Sequence, residues 1–212
     1  MIAPHREGEQ IVLPGLATAH SHAFQRGLRG RTQRRMTEGG SFWSWRNLMY
    51  SFAERIDPAS IYDLSRLAYA ELALAGVTAV GEFHYVHYQP DGSPYDDPNA
   101  MGAALIAAAG DAGIRITLLD TLYLHGGFAT SGSEPYAPLS PEQRRFGDGS
   151  TAAWRTRVEA HAAHLELSTA RLGCAIHSVR AVDPPAIGEV SSWSVANGLP
   201  LHFHVSEQPD EN

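Results

Sequence analysis

Apolar positions along the chain form short continuous runs that alternate with segments of helical spacing. The first run, residues 11–19, is interrupted only by Pro14-Gly15, and it predicts a buried strand entered through a turn. Asp57-Pro58 then provides a helix N-cap and first turn, apolar residues recur at helical spacing, and Gly76 closes the helix. The run 77–84 follows at once and predicts a second strand.

The same order of elements repeats along the rest of the chain. An alanine-rich helix begins at Asp97-Pro98 and ends near Gly113, and further helices are predicted over residues 152–167 and 183–197. The remaining strands are predicted over residues 114–123, 173–177 and 199–205. Five strands that alternate with helical connections predict parallel strands with right-handed crossovers, in either a barrel or a doubly wound sheet.

Polar side chains gather where these strands end. They are His20 and His22, His84 and Tyr85, His177 and Arg180, and His204 and Glu207. In a (β/α)8 TIM barrel the C-terminal ends of all strands meet at one active site, so this distribution favours the barrel. A complete barrel needs eight strands and typically ~250 residues. We therefore expect residues 11–212 to form a partial α/β barrel, about strands one to five, truncated before strands six to eight.

Composition and charge narrow the class of partner. The chain has 212 residues, 43% of them hydrophobic, which is enough for one sizeable domain. A net charge of −7 argues against nucleic acid and against an anionic membrane, because either partner needs a basic face. No run approaches the ~20 apolar residues of a membrane span. One cysteine and no leader pattern favour the cytoplasm, and a small-molecule partner is expected.

Two histidine-containing strand ends suggest a metal site. His20 and His22 are two residues apart, so on a strand both imidazoles point to the same face. Alone, such a pair is also typical of histidines that simply form hydrogen bonds where a strand ends. The stretch HFHVSE, residues 202–207, offers a third imidazole, and Glu207 follows His204 by three residues. In such a site the carboxylate transfers protons and does not bind metal.

Three neutral imidazoles suit zinc, although the same ligands also hold iron or manganese. A catalytic zinc keeps one position for water and lowers the pKa of that water to ~7. A glutamate beside it can take the proton of the water and pass it to a leaving nitrogen. The pattern therefore indicates metal-dependent hydrolysis.

Two arginines bear on the substrate, although each alone is more typical of a solvated surface. Arg180 lies just beyond His177 at a strand end, so it is placed to face the cavity. A guanidinium there indicates a substrate with a carboxylate, which it can bind through two hydrogen bonds. Arg46 stands in an aromatic stretch, FWSWR, and Phe42, Trp43 and Trp45 are expected to wall the pocket mouth.

Five segments together resemble a known family. They are PGLATAHSHAFQRGL, SFWSWRNLMY, TAVGEFHYVH, AIHSVRAV and LPLHFHVSEQP. In order and spacing they are similar to the formimidoylglutamate deiminases, members of the amidohydrolase superfamily, over nearly the whole chain. The resemblance implies a zinc-containing (β/α)8 barrel of the metal-dependent hydrolase type with a small β-sandwich. It also implies hydrolysis of the formimino C=N group of N-formimino-L-glutamate to N-formyl-L-glutamate and ammonia, a reaction of histidine degradation.

The resemblance also implies roles for particular residues. His20, His22 and His204 would bind zinc, and Glu207 would be the proton shuttle. Substrate contacts would fall on Gln25, Arg46, Tyr85, His177 and Arg180, which suit a dicarboxylate. The family takes a further histidine from strand six and a zinc-binding aspartate from strand eight, both beyond Asn212. Residues 1–10 are expected to be a lead-in or a remnant of the β-sandwich.

Two other interpretations remain open. The HxH and HVSE motifs also occur in other aminohydrolases of the superfamily, such as guanine deaminase, but a neutral purine needs no pair of carboxylate-binding arginines. Alternatively, the chain is a catalytically inactive truncated remnant. A partial barrel exposes apolar surface and open strand edges, so this interpretation predicts aggregation or a homodimer.

Overall fold

The computed structural model describes residues 4–32, 42–165 and 169–212. Its central feature is a parallel sheet of five strands in chain order. They are β1 (Leu16–Ser21), β2 (Val77–His84), β3 (Arg115–Leu122), β4 (Ala170–Ser178) and β5 (Leu201–His204). Every neighbouring pair is parallel, and consecutive order is the arrangement of a barrel wall. The predicted partial TIM barrel is confirmed.

Helices connect successive strands, as the alternating pattern predicts. They are α1 (Phe42–Ala53), α2 (Pro58–Leu74), α3 (Ala100–Asp111), α4 (Thr151–Ala163) and α5 (Pro184–Ala196). Asp57 caps α2 by accepting a hydrogen bond from the Ser60 amide at 2.8 Å, and Asp183 caps α5 through the Ala186 amide. Among the described helices, none is both long and apolar enough to cross a membrane.

The first predicted strand, residues 11–19, is divided in the structure. Gln10–Val12 pairs antiparallel with His5–Glu7, whereas β1 begins at Leu16. The break falls at Pro14-Gly15, because proline has no amide hydrogen for a ladder. A Cβ on Gly15 would lie 2.3 Å from Thr78 Cγ2, so only glycine fits against β2. The predicted boundary between residues 10 and 11 stays a prediction.

Other differences concern the ends of elements. The helix predicted over residues 152–167 ends at Ala163, and residues 166–168 lie outside the described part of the chain. The fourth strand is longer than predicted and the fifth is shorter. Short elements complete the connections: 3-10 helices Ala23–Leu28, Pro141–Phe146 and Pro209–Glu211, and a hairpin of Gly127–Phe128 with Tyr136–Ala137.

The hydrophobic core lies around β2, β3 and β4. These strands are buried along most of their length, which is the usual state of parallel strands covered on both faces. The two outer strands differ, since β1 is largely exposed and β5 is only half-buried. Leu16 is 60% exposed. The sheet therefore has a well-packed centre and two edges that no other described strand covers.

Candidate metal centre and substrate pocket

A cavity of about 300 Å³ lies where the strands end. Its walls contain all nine residues that the sequence assigns to the site: His20, His22, Gln25, Arg46, Tyr85, His177, Arg180, His204 and Glu207. These side chains come from four of the five strand ends and from α1, across nearly the whole length of the chain. His84, also at a strand end, lies instead among charged groups of the helix layer, near Arg157 and His161 of α4.

Three imidazoles converge in this cavity. His20 Nε2 lies 3.1 Å from His22 Nε2 and 3.4 Å from His204 Nε2. Each of the three rings has a nitrogen within 4.8 Å of the corresponding atom of the other two. Among the residues that the structure describes, no other group of three or more histidine, cysteine, aspartate or glutamate side chains brings its ligand atoms this close together.

Hydrogen bonds to the backbone orient two of these rings. His22 Nδ1 lies 2.9 Å from the carbonyl oxygen of Phe83, and His204 Nδ1 lies 3.0 Å from that of His177. A carbonyl only accepts, so each Nδ1 carries the proton and each Nε2 keeps its lone pair. The same arrangement, with one nitrogen anchored and the other free, is usual for histidines that bind metals.

The histidines are also kept neutral. Burial, and then the neighbouring His204 and His20, lower the pKa of His22 to about 3. Burial likewise lowers the pKa of His20 and of His204. The pKa of His177 lies well below its usual value because of burial, with smaller effects from His204 and Arg180. At neutral pH these rings are therefore acceptors and potential ligands.

The spacing of the ring nitrogens matches a tetrahedral metal. Zinc binds imidazole nitrogen at about 2.0–2.1 Å, so two nitrogens on one tetrahedral zinc lie about 3.3 Å apart. The Nε2 atom of His20 lies 3.1 Å from that of His22 and 3.4 Å from that of His204, and both distances are close to that value. His20, His22 and His204 fit three positions of a zinc site.

Arg180 and Glu207 contact each other directly. The guanidinium of Arg180 forms ion pairs with the carboxylates of Glu207 and Glu211. Ser206 has a φ of +56°, a left-handed conformation uncommon for residues other than glycine, and it turns the chain between β5 and Glu207. The pKa of Arg180 is raised by these carboxylates, against the effect of burial. Arg180 therefore faces the cavity, as its sequence position suggests, and its partners there are the carboxylates of Glu207 and Glu211.

Arg46 reaches the cavity from α1. Its guanidinium carbon lies 4.4 Å from the ring centroid of Trp43 and 5.2 Å from that of Tyr50, within the range of cation–π contacts. Its Nε is buried and makes no hydrogen bond. Phe42 and Trp45 line the cavity as expected, whereas Trp43 is outside the cavity lining, is 47% exposed and packs on Arg46.

Gln25 and Tyr85 form a polar pair on another wall. Gln25 Nε2 donates to the Tyr85 hydroxyl at 3.3 Å, and that hydroxyl donates to Met49 Sδ at 3.6 Å. Burial raises the pKa of Tyr85, so the hydroxyl stays protonated. Gln25 keeps a second amide hydrogen for a ligand, and the Tyr85 hydroxyl can donate to a ligand in place of Met49.

Sequence reasoning missed a second polar group behind the cavity. Gln143, buried in the 3-10 helix Pro141–Phe146, lies 2.9 Å from the Tyr123 hydroxyl and 3.2 Å from the Tyr50 hydroxyl. The Tyr123 ring packs on His177 with centroids 4.5 Å apart. The sequence around Gln143 does not show that it lies near the cavity, because its partners are 20 and 93 residues away along the chain.

The sequence profile of the amidohydrolase family matches residues 11–212. The chain belongs to the amidohydrolase family. A formimidoylglutamate deiminase from Pseudomonas aeruginosa is 42% identical to this amidohydrolase over 200 residues, which are 94% of this chain and 42% of that enzyme. The resemblance found from the five sequence segments is therefore confirmed.

Two further relatives show the same coverage of this amidohydrolase. The crystal structure of an amidohydrolase from Brucella melitensis is 37% identical and superposes with a TM-score of 0.72, covering 93% of this chain and 42% of that one. A 5-methylthioadenosine/S-adenosylhomocysteine deaminase from Natronomonas pharaonis is 28% identical over 201 residues, 95% of this chain and 38% of that enzyme. The chain thus spans about two fifths of the length of the relatives it matches.

Proposed function

We propose that this chain is part of a zinc-dependent deiminase that hydrolyses N-formimino-L-glutamate to N-formyl-L-glutamate and ammonia. The observation that carries the proposal is the convergence of three neutral imidazoles in a cavity that Arg46 and Arg180 also line. The 42% identity to a formimidoylglutamate deiminase supports the same substrate. The reaction belongs to the class of hydrolysis of carbon–nitrogen bonds other than peptide bonds.

His20, His22 and His204 would hold the zinc, each through Nε2. When bound, zinc supplies a nucleophilic water of near-neutral pKa and polarises the C=N group. The protein's own contribution is orientation: the Phe83 and His177 carbonyls fix the rings of His22 and His204. The low pKa of His22 keeps its lone pair available throughout the neutral range.

Glu207 is the proposed proton shuttle. Its carboxylate lines the cavity beside His204 and is held by Arg180. It takes a proton from the attacking water and delivers it to the imine nitrogen, and it then transfers the hydroxyl proton of the resulting adduct to the same nitrogen, which leaves as ammonia. The water oxygen becomes the formyl oxygen, and the C–N bond to the leaving nitrogen breaks.

Arg46 and Arg180 are the proposed binding groups for the two substrate carboxylates. Two guanidiniums on one cavity suit a dicarboxylate, since each can form two parallel hydrogen bonds with a carboxylate. Gln25, Tyr85 and His177 supply neutral polar contacts on the remaining walls. A purine, the substrate class of the alternative guanine deaminase, uses neither positive charge.

A cytoplasmic location is part of this proposal. The one cysteine of the sequence, Cys174, is buried and free in the sheet, as is common where thiols stay reduced.

The proposed chemistry is tested by an isotope experiment on the full-length protein that contains this chain. N-Formimino-L-glutamate is incubated with zinc-loaded protein in ¹⁸O-labelled water, and the products are analysed by mass spectrometry. One ¹⁸O atom in the formyl group and one ammonia for each substrate consumed are expected. Ammonia release with no label in the formyl group would contradict hydrolysis at the C=N carbon.

A further inference from the structure

Glu82 is a buried carboxyl group outside the proposed reaction. It lies on β2, is 1% exposed, and neighbours Phe83, whose ring stacks on His204 at a centroid distance of 4.1 Å. Side chains alternate along a strand, so Glu82 points away from the imidazoles and toward the helix layer. There the buried hydroxyl of Tyr69, on α2, faces the same carboxyl group.

Glu82 holds the peptide that follows a proposed zinc ligand. Its Oε1 accepts a hydrogen bond from the Ala23 amide at 2.8 Å. Ala23 comes directly after His22, and the next residue of β2, Phe83, accepts the Nδ1 hydrogen of His22 at 2.9 Å. Two consecutive residues of β2 therefore hold the ring of His22 and the amide that follows it.

The local backbone explains why this contact is needed. His22 is the N-cap residue of the 3-10 helix Ala23–Leu28, and its side chain makes no capping hydrogen bond. The first amides of a helix lack partners within the helix, and an N-cap side chain normally accepts from them. The His22 ring is directed at His20 and His204 instead, so the Ala23 amide takes its acceptor from Glu82 on another strand.

A carboxyl group at this position is costly for stability. Burial raises the pKa of Glu82 to about 8, against the opposing effects of the Ala23 amide and of the Ser21 and Tyr69 side chains around the carboxyl group. An apolar residue of similar size would avoid the cost of burying this polar group. The strands leave little room for a shift, because a Cβ on Gly81 would lie 2.5 Å from the Ala19 carbonyl oxygen.

We propose that Glu82 is a positioning residue of the metal centre, which fixes the direction of His22 by holding the Ala23 amide. This inference rests on the proposed zinc site. The Phe83 carbonyl sets the rotation of the His22 ring, and Glu82 sets the backbone from which the ring projects. Without Glu82, the turn after His22 loses its contact with β2 and His22 Nε2 is no longer kept at one position relative to His20 and His204.

The test compares zinc affinity among variants of the full-length protein, by competition with a chromogenic chelator at one pH. Glu82→Leu removes the acceptor, and Glu82→Gln keeps a carbonyl oxygen for the Ala23 amide. We expect Glu82→Leu to bind zinc at least about tenfold more weakly, because the loss of a residue that orients a metal ligand commonly lowers metal affinity by that much. Glu82→Gln should stay within about threefold of wild type by the same comparison.

Two further variants separate positioning from general destabilisation. Val80→Ala removes buried apolar volume from the same strand and leaves Ala23 untouched, so it should lower the unfolding temperature and preserve zinc affinity. Ala23→Pro removes the amide hydrogen, at a helix position that accepts proline, and keeps Glu82. This variant should weaken zinc binding as Glu82→Leu does. It can replace Glu82→Leu in the test if that variant does not fold.

The visible spectrum of the cobalt-loaded protein gives a second measurement, because its intensity and shape depend on coordination geometry. Glu82→Leu should change this spectrum and Glu82→Gln should not. If both Glu82→Leu and Ala23→Pro keep wild-type zinc affinity and an unchanged cobalt spectrum, the role of Glu82 is overturned and the proposed function is not affected. A wild-type protein that does not bind zinc through these histidines would overturn the proposed function, and the inference with it.

Discussion

The guanidinium of Arg180 forms an ion pair with the carboxylate of Glu207, although the two residues follow different strands and lie 27 positions apart. Glu211 binds the other terminal nitrogen of the same guanidinium. A residue proposed to bind substrate thus also contacts the residue proposed to transfer protons. A substrate carboxylate that reaches Arg180 must share its hydrogen bonds with Glu207 or replace those of Glu211.

Replacing either arginine by methionine should impair the reaction. Arg46→Met and Arg180→Met each remove a group that binds a carboxylate, and we expect kcat/KM for formiminoglutamate to fall at least about 30-fold, or about 2 kcal/mol. Arg46 makes no contact with Glu207 among the described hydrogen bonds, so its loss should act mainly on KM. Arg180→Met should lower kcat as well, because Glu207 loses its partner.

Glu211→Gln is the matched control for these arginine variants. It replaces the charged partner of one Arg180 nitrogen by a neutral amide oxygen, which a substrate carboxylate displaces more easily, and it keeps the guanidinium, so KM should stay the same or decrease. Steady-state kinetics of the full-length variants give the comparison. Unchanged kcat/KM in both methionine variants would show that neither arginine binds substrate.

Zinc content should distinguish two histidines of β5. The sequence HFH places His202 and His204 on the same face, yet only His204 lies with His20 and His22 in the three-imidazole group. His204→Asn should therefore reduce the zinc content of purified protein, and His202→Asn should leave it at the wild-type value. Metal analysis by mass spectrometry measures both. Equal losses of zinc in the two variants would contradict the assignment of His204, and not His202, as the ligand.

Stability should fall in acid, partly because of His87. Its Nε2 donates to the Thr121 carbonyl at 3.0 Å, and burial, with a further effect of Arg157, lowers its pKa to about 3. Other charged and titratable groups near it are His84, Asp120, Asp148 and His161. Between about 6.5 and 3, the unfolded state binds a proton that the folded state does not. The free energy of unfolding should therefore decrease as pH falls through this range.

The contribution of His87 has a slope of up to about 1.4 kcal/mol for each pH unit. His87→Gln keeps a donor for the Thr121 carbonyl and cannot take up a proton. Urea unfolding at pH 7, 6 and 5 should give a flatter pH dependence for this variant than for wild type. Identical slopes for the two proteins would show that His87 does not titrate as described.

Residues 1–212 alone should release no measurable ammonia from formiminoglutamate, even with added zinc. The family resemblance places a further histidine and a metal-binding aspartate on later strands, and both edges of the sheet are uncovered by other described strands. A displacement of ~1 Å in the reacting groups can cost about a hundredfold in rate. Size-exclusion chromatography should also show aggregates or a homodimer. Turnover by the isolated chain near the full-length rate would contradict this expectation.

Much of the fold follows from local sequence. The helix starts at Asp57 and Asp183, the glycine after α2, and the apolar runs of β2 and β3 are all signalled within a few residues of their positions. The histidines at strand ends also predict the three-imidazole group, because parallel strands bring their C-terminal ends to one edge.

The remaining features depend on contacts between distant residues. Glu82 and Ala23 are 59 residues apart, and the sequence around Glu82 does not show that its carboxyl group binds a backbone amide. Position 15 requires glycine because Thr78, on another strand, occupies the space of a Cβ. The grouping of His204, and not His202, with His20 and His22 depends on contacts between β5 and the end of β1. Such contacts are visible only in the folded structure.

The most direct test of the whole account is a comparison of two substrates by the full-length, zinc-loaded protein. Ammonia release is measured from N-formimino-L-glutamate and from guanine under the same conditions, and kcat/KM is obtained for each. Arg46 and Arg180 should make formiminoglutamate much the better substrate, with little or no release from guanine. Faster deamination of guanine would contradict the dicarboxylate pocket and favour a nucleobase deaminase.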